Sequence, residues 1–181
     1  MKKLVLDNKE VRLLASKICR ELSGSTWKPD YIVGITRGGL VPAVMISHWF
    51  NIPCNTLKVA LRDNQDAESN LWMAEDAFGY HRTDLPEPAG SNPTLRKNIL
   101  IVDDINDSGA TFDWIVKDWQ SGCFPQETET WNTVWNRTTR FAVLVDNLAS
   151  DARLPVDYAG SEINKAEEDV WIDFPWEVWW R

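Results

Sequence analysis

The chain has 181 residues, 44% of them hydrophobic and 25% charged. At roughly 150 residues per domain this length predicts one domain, and the composition is that of a globular protein, not a disordered one. Twenty-seven acidic against 19 basic side chains leave a net charge of −8, which argues against a general nucleic-acid binder, whose footprint is basic.

No stretch approaches the ~18 uninterrupted apolar residues of a membrane span. The richest, 40–52, is broken by Pro42, Ser47, His48 and Asn51. The opening Met1-Lys2-Lys3-Leu4-Val5-Leu6-Asp7 holds too short an apolar run for a signal peptide. Cys19, Cys54 and Cys123 are odd in number and far apart, and only His48 and His81 could join them in a zinc site. Reduced thiols in a cytoplasmic protein are the simpler expectation.

Asp7 and Glu10 have capping-box spacing. Val11, Leu14, Ala15, Ile18 and Leu22 then form one apolar helical face, closed by Ser23-Gly24-Ser25. Tyr31-Ile32-Val33-Gly34-Ile35 predicts a buried strand. It runs into Thr36-Arg37-Gly38-Gly39, and Pro42 opens a helix to about Phe50, where its missing N–H costs nothing. Residues 56–61 predict another strand. Residues 62–97 are polar and turn-rich, too long for an ordinary connection, and predict a lid or a disordered loop.

Ile99-Leu100-Ile101-Val102 is the clearest buried strand. It ends in Asp103-Asp104, and a helix follows near Thr111 with Trp114, Ile115 and Trp119 on one face. Residues 121–140 have the character of an insertion carrying Trp131 and Trp135 at i, i+4. Residues 141–145 and 156–159 predict two more strands, and the tail carries Trp171, Trp176, Trp179 and Trp180. Strands alternating with helices predict an α/β fold. It is a mainly parallel twisted sheet flanked by helices, binding ligands beyond the carboxyl ends of its strands.

Two strand ends carry unusual chemistry. Asp103 and Asp104 follow a buried strand at once; two bare carboxylates ~4 Å apart repel by about 4 kcal/mol at an effective dielectric of 20. Such a pair suits a magnesium ion or a vicinal diol. In Asp107-Ser108-Gly109-Ala110-Thr111, small residues let backbone N–H groups converge at a helix N-terminus, and two hydroxyls add donors. A diol or metal beside a phosphate describes a ribose phosphate. The plainer alternative is a solvated loop with a helix cap. Response-regulator receiver domains also open on Ile-Leu-Ile-Val-Asp-Asp, but at the chain start; after an acceptor at Asp146 too little chain remains for their later lysine. A haloacid-type phosphatase needs an acid where Ile105 stands, and neither a Walker A loop nor GxGxxG is present.

Residues 99–111 resemble the phosphoribosyl-pyrophosphate (PRPP) signature of type I phosphoribosyltransferases: a hydrophobic strand, two acids, then acid-Ser-Gly-small-Thr. The run Ile35-Thr36-Arg37-Gly38-Gly39-Leu40-Val41-Pro42 resembles the pyrophosphate loop of the bacterial xanthine-guanine subfamily. Trp171-Ile172-Asp173-Phe174-Pro175-Trp176-Glu177 is similar to its purine-stacking segment. The three stand in the family's order and anchor about two-thirds of the chain; 62–97 and 121–140 fall outside.

The resemblance implies a single domain over 1–181, with a lid at 62–97, an insertion at 121–140 and a C-terminal base-binding hood at 156–181. It implies an enzyme that moves the phosphoribosyl group of PRPP to a nucleobase, a purine by subfamily, releasing pyrophosphate with Mg2+. The alternative is a regulatory module that binds PRPP without transferring it. Thr36, Arg37, Gly38 and Gly39 would hold pyrophosphate, with a strained or cis peptide near Arg37. Asp103 and Asp104 would meet the ribose hydroxyls and the metal, and Ser108, Gly109, Ala110 and Thr111 the 5′-phosphate. Asp107 would handle a proton near the base, Trp171 would stack on it and Ile172 line its pocket. Asp173 would support the metal or face solvent, and the lid could bring Arg62, His81 or Arg82. One departure concerns the base: the subfamily reads its 6-oxo group with a lysine after the strand matching 141–145. Here Ser150 stands there, with Arg153 nearby. Tryptophans on the surface would suit a homo-oligomer.

Overall fold

The computed structural model describes residues 2–61, 66–68, 70–81, 90–123, 128–177 and 179–180. Strand β1 spans Lys2–Val5 and helix α1 Asn8–Gly24. The capping box is made: Glu10 N donates to the Asp7 carboxylate and Asp7 N to the Glu10 carboxylate, each at 2.7 Å. Val11, Ala15, Ile18, Cys19 and Leu22 form the buried face.

Strand β2 (Tyr31–Thr36) feeds α2 (Leu40–Phe50), and β3 (Cys54–Ala60) follows. α2 starts two residues ahead of Pro42, so the proline sits in the first turn, where N–H groups still lack an intrahelical acceptor. Next come β4 (Asp66–Ala67), α3 (Leu71–Phe78), β5 (Tyr80–His81), β6 (Gly90–Ser91) and a 3₁₀ turn at Pro93–Leu95. α3 lies within the span expected to be loop. Its Met73, Ala74, Ala77 and Phe78 are buried in the core, a face hidden in the sequence because two of its four members are alanines. Of the 62–97 span expected to be a lid, residues 62–65, 69 and 82–89 lie outside the described residues, Arg62 and Arg82 among them; so does the His81 side chain.

Strand β7 (Ile99–Asn106) leads into α4 (Ala110–Gly122). The buried face of α4 is Phe112, Ile115, Val116 and Trp119; Trp114 is half-buried at its edge. α5 (Thr128–Trp131) belongs to the 121–140 segment, which packs inward: Trp131 and Trp135 stack with ring centroids 5.3 Å apart, and Trp135 also meets Trp119 and Phe141. Strands β8 (Thr139–Asn147), β9 (Tyr158–Ile163) and β10 (Val170–Asp173) complete the chain. β9 therefore starts two residues later than the sequence pattern suggests and runs on to Ile163.

The main sheet has the order β4-β3-β2-β7-β8-β9 and is parallel except for the β3–β4 pair. Side chains alternate across each strand. Ile32, Leu100 and Ala142 face a layer built with α1 and α2, while Val33, Ile101 and Val143 face the layer of α3, α4 and α5. β1 and β10 form a separate parallel pair, with Leu4 opposite Ile172, beside the carboxyl ends of the main sheet. Trp179 and Trp180 beyond it are exposed. No helix among the described residues is long and apolar enough to cross a membrane.

Candidate active site

A cavity of about 1090 Å³ opens beyond the ends of β2, β3 and β7. Four fully buried residues, Ile99 to Val102, fix β7, so Asp103 and Asp104 emerge at its rim. The Asp104 carboxylate accepts from Ile105 N at 2.8 Å and Asp103 Oδ1 from Asp104 N at 3.0 Å. Burial pushes the Asp104 carboxyl above its ordinary range, and nearby Glu177 raises it further; its hydrogen bonds pull the other way. Glu177 also lines the cavity, while its carboxylate accepts from Phe174 N at 2.9 Å.

The two loops singled out in the sequence meet here. A side-chain carbon on Gly38 would fall on the Asp104 carboxylate, so the absence of one lets the 36–39 turn close against the acidic rim. Thr36, Arg37 and Gly38 line the cavity, and the Thr36–Arg37 peptide is cis. Gly39 is buried behind them, with the Val102 carbonyl and Asp103 Cα where a side chain would stand.

Across the rim, Asp107 to Thr111 lines the cavity at the start of α4. Gly109 is the N-cap at φ 86°, with the Ala152 backbone where a Cβ would project. That residue has no side chain to cap the helix, which leaves the first-turn N–H groups without a side-chain cap where Ala110 and Thr111 line the cavity. Ser108 Oγ makes one long contact, accepting from Ala110 N at 3.4 Å.

The opposite wall is Trp171, Ile172, Phe174 and Trp176. Trp171 and Ile172 stand here because β10 pairs with β1. Asp173 points elsewhere: its carboxylate accepts from Lys3 Nζ at 3.2 Å, and it is not among the lining residues.

A model of the phosphoribosyl transferase domain matches residues 4–178. The chain belongs to the phosphoribosyltransferase family. A xanthine-guanine phosphoribosyltransferase of Cereibacter sphaeroides is 29% identical over 147 residues, 81% of this chain and 68% of the relative. A hypoxanthine-guanine phosphoribosyltransferase of Schizosaccharomyces pombe is 26% identical over 169 residues, covering 84% of this chain and 79% of its own. The fold matches the crystal structure of a purine phosphoribosyltransferase from Pyrococcus horikoshii with a TM-score of 0.61, at 23% identity over 97% of this chain and 94% of that one. The chain is an enzyme of phosphoribosyl transfer.

Phosphoribosyltransferase motifs found in the sequence account for both rims and the Trp wall, but not for the cation beside them. Neither Ser150 nor Arg153 lines the cavity. Ser150 Oγ accepts from Asn106 Nδ2 at 2.9 Å, and Arg153 pairs with Asp113 at 3.7 Å. Lys165 lines it instead, from the loop after β9. Its Nζ donates to Asp107 Oδ1 at 2.7 Å and lies 5.9 Å from the Trp171 ring centroid. One signal could have found it: Lys165 is the only lysine after Lys117. Lys58 of β3 is a second missed basic lining residue, paired with Glu68 at 3.5 Å.

Proposed function

We propose that this cleft transfers the phosphoribosyl group of PRPP to a ring nitrogen of a purine, releasing pyrophosphate. The close approach of Gly38 to the Asp104 carboxylate carries the reading: it brings the 36–39 turn against the acidic rim, and both line the same space of about 1090 Å³ as the start of α4. Leaving group, ribose and 5′-phosphate then fall on three adjoining devices.

Thr36, Arg37 and the backbone around Gly38 and Gly39 take the pyrophosphate. Asp103 and Asp104 accept from the ribose hydroxyls. Ser108, Gly109, Ala110 and Thr111 hold the 5′-phosphate by several direct hydrogen bonds, which outweigh the ~0.3–1 kcal/mol per charge of the helix end itself. Trp171 stacks on the base, Ile172 flanks it, and Asp107 takes its proton while the ring nitrogen attacks the anomeric carbon.

The donors at the rim suit magnesium. Asp103, Asp104 and Glu177 offer oxygen only, and burial first, with the Glu177 charge adding to it, raises the Asp104 pKa, so a cation there would relieve the carboxylate. Among the described residues no three acidic, His or Cys side chains group tightly enough to hold an ion alone, in keeping with an ion shared with substrate oxygens and water. Asp103 and Asp104 would hold it, and when bound it supplies neutralisation of the pyrophosphate charge.

We infer further that residues 1–181 act as one unit, with 156–181 on the base side. Exposed Val41, Val44 and Trp49 on α2 favour a homo-oligomer, to be read by light scattering. An enzyme of this kind suits the cytoplasm, where its substrates are made.

The test is incubation with PRPP, Mg2+ and a panel of bases, with mass detection of nucleotides. Nucleoside monophosphate and pyrophosphate are expected in equal amounts. Protection by PRPP against unfolding with no product from any base would overturn the reading.

A further inference from the structure

We propose that Asn106, Asn147 and Ser150 are positioning residues for the 5′-phosphate. They bind the loop after β8 alongside the loop after β7, and this sets the direction of the N–H groups that meet the phosphate. The inference rests on the 5′-phosphate lying at residues 108–111, as the proposed function has it.

Segment 106–113 leaves β7 and enters α4; segment 146–153 leaves β8. The two are joined step by step. Asn106 Nδ2 donates to Asp146 Oδ1 at 2.8 Å and to Ser150 Oγ at 2.9 Å. The Asp107 carbonyl accepts from Asn147 Nδ2 at 2.8 Å, and the Ser108 carbonyl from Asp151 N at 3.2 Å. Gly109 lies against the Ala152 backbone, and Asp113 Oδ1 accepts from Arg153 N at 3.0 Å. The two carboxamides are reciprocal: Asn106 closes β7 and reaches the loop after β8, while Asn147 closes β8 and reaches the loop after β7. Each is only 5% exposed, and a polar side chain buried so far is costly unless hydrogen-bonded. Asn106 Oδ1 has no partner among the described residues, so the junction uses this side chain as a donor.

Direction follows from the planarity of the peptide. In a trans peptide the carbonyl and the N–H point to opposite sides, and the peptides of 107–109 are trans. Asn147 draws the Asp107 carbonyl toward the end of β8, which sends the Ser108 N–H the other way. Asp151 N does the same to the Ser108 carbonyl, and so to the Gly109 N–H. Ser108 and Gly109 both line the cavity. Two N–H groups ahead of α4 thereby join those of its first turn as one concave set of donors. A donor set fixed before the anion arrives loses less freedom on binding it. Asn106 and Ser150 keep the two loops together while Asn147 makes the decisive bond. Ser150, remote from the cavity lining, thus acts on the phosphate end of the cleft.

Equilibrium binding of ribose 5-phosphate and of Mg-pyrophosphate tests this without turnover. Asn147→Asp keeps the acceptor that Ala149 N meets at 3.2 Å and Lys165 N at 3.0 Å, but sets a carboxylate against the Asp107 carbonyl. It should weaken ribose 5-phosphate roughly 10-fold and leave Mg-pyrophosphate within about threefold. Asn106→Ala should do the same. Ser150→Ala removes one hydroxyl, leaves the carboxamides in place and should cost about threefold; Ser150→Thr, which keeps the hydroxyl, should stay within about twofold of the intact protein. In turnover the KM for PRPP should rise by these factors while the KM for the base stays within about threefold, a split that a loss of packing alone would not give. Equal weakening of both ligands, or an unchanged ribose 5-phosphate affinity in the folded variants, would overturn the proposal. Ser150→Ala and Ser150→Thr binding alike would overturn it too, and that pair decides even where an asparagine variant does not fold. Absence of product with every base would instead count against the proposed function, and the ribose 5-phosphate series would still decide the role of the three residues.

Discussion

Replacing Gly38 by alanine probes the junction on which the cleft depends. The added carbon lands on the Asp104 carboxylate, so either the turn withdraws or the carboxylate swings away. Swinging it breaks the 2.8 Å hydrogen bond from Ile105 N. A hydrogen bond to a charged group is worth about 1.5–3 kcal/mol, and an off-rotamer side chain adds about 0.5–1.5 kcal/mol. The total of about 2–4 kcal/mol corresponds to a 30- to 1,000-fold weaker hold on PRPP. Thermal unfolding with and without PRPP and Mg2+ reads it directly. At a PRPP level 100 times the wild-type Kd, wild type gains about 2.7 kcal/mol. A variant weakened 100-fold gains about 0.4 kcal/mol. Gly24→Ala is the control: a carbon there meets nothing within 4 Å, and it should change neither PRPP protection nor turnover. A Gly38→Ala protein that folds and keeps its PRPP KM within threefold of wild type would refute the reasoning.

Three further outcomes are expected. Asp104→Asn should abolish Mg-PRPP binding and stabilise the free protein at neutral pH. Burial raises the folded pKa of Asp104, so its favourable contribution is complete below the unfolded value of about 3.9 and is lost as pH climbs through the raised one. The Tm gap between variant and wild type should therefore be near zero in acid and open in the variant's favour with rising pH; a constant gap would contradict it. Trp171→Ala should raise the KM for the base roughly 5- to 150-fold, from the ~1–3 kcal/mol of a base stacked on an aromatic ring, with the PRPP KM unmoved. Trp131→Ala should cost about 3–5 kcal/mol in urea unfolding, because its ring is fully buried against Phe78 and Trp135; a loss below 1 kcal/mol would show that segment to be peripheral.

The parts of the site that could be read from the chain are those built by one contiguous run. Residues 99–111 hold a buried strand, two acids and a helix start in unbroken succession, so local physics alone places Asp103, Asp104 and the first N–H groups of α4. The 36–39 turn is legible for the same reason, as is α1 with its Asp7–Glu10 cap. What stayed hidden depends on distant chain. Trp171 is named in the sequence only through the family resemblance of 171–177; no local pattern turns it to the cleft, which follows from the pairing of β10 with β1, 168 residues away. Lys165 reaches Asp107 across 58 positions, through a loop whose length no local pattern sets. Ser150, the residue at the family's lysine position after β8, belongs instead to the Asn106 cluster. α3 escaped notice because its small buried residues leave a weak apolar rhythm between polar flanks.

The central claim is that β7, the α4 N-terminus and the 36–39 turn enclose PRPP opposite Trp171. A crystal structure with PRPP, Mg2+ and a non-reacting purine analogue tests it most directly. The account predicts the 5′-phosphate on the N–H groups at Gly109 to Thr111, the pyrophosphate at Arg37 and Gly38, and the base ring on Trp171. Density for the sugar phosphate elsewhere, or at this corner with Asp103 and Asp104 out of reach, would contradict it.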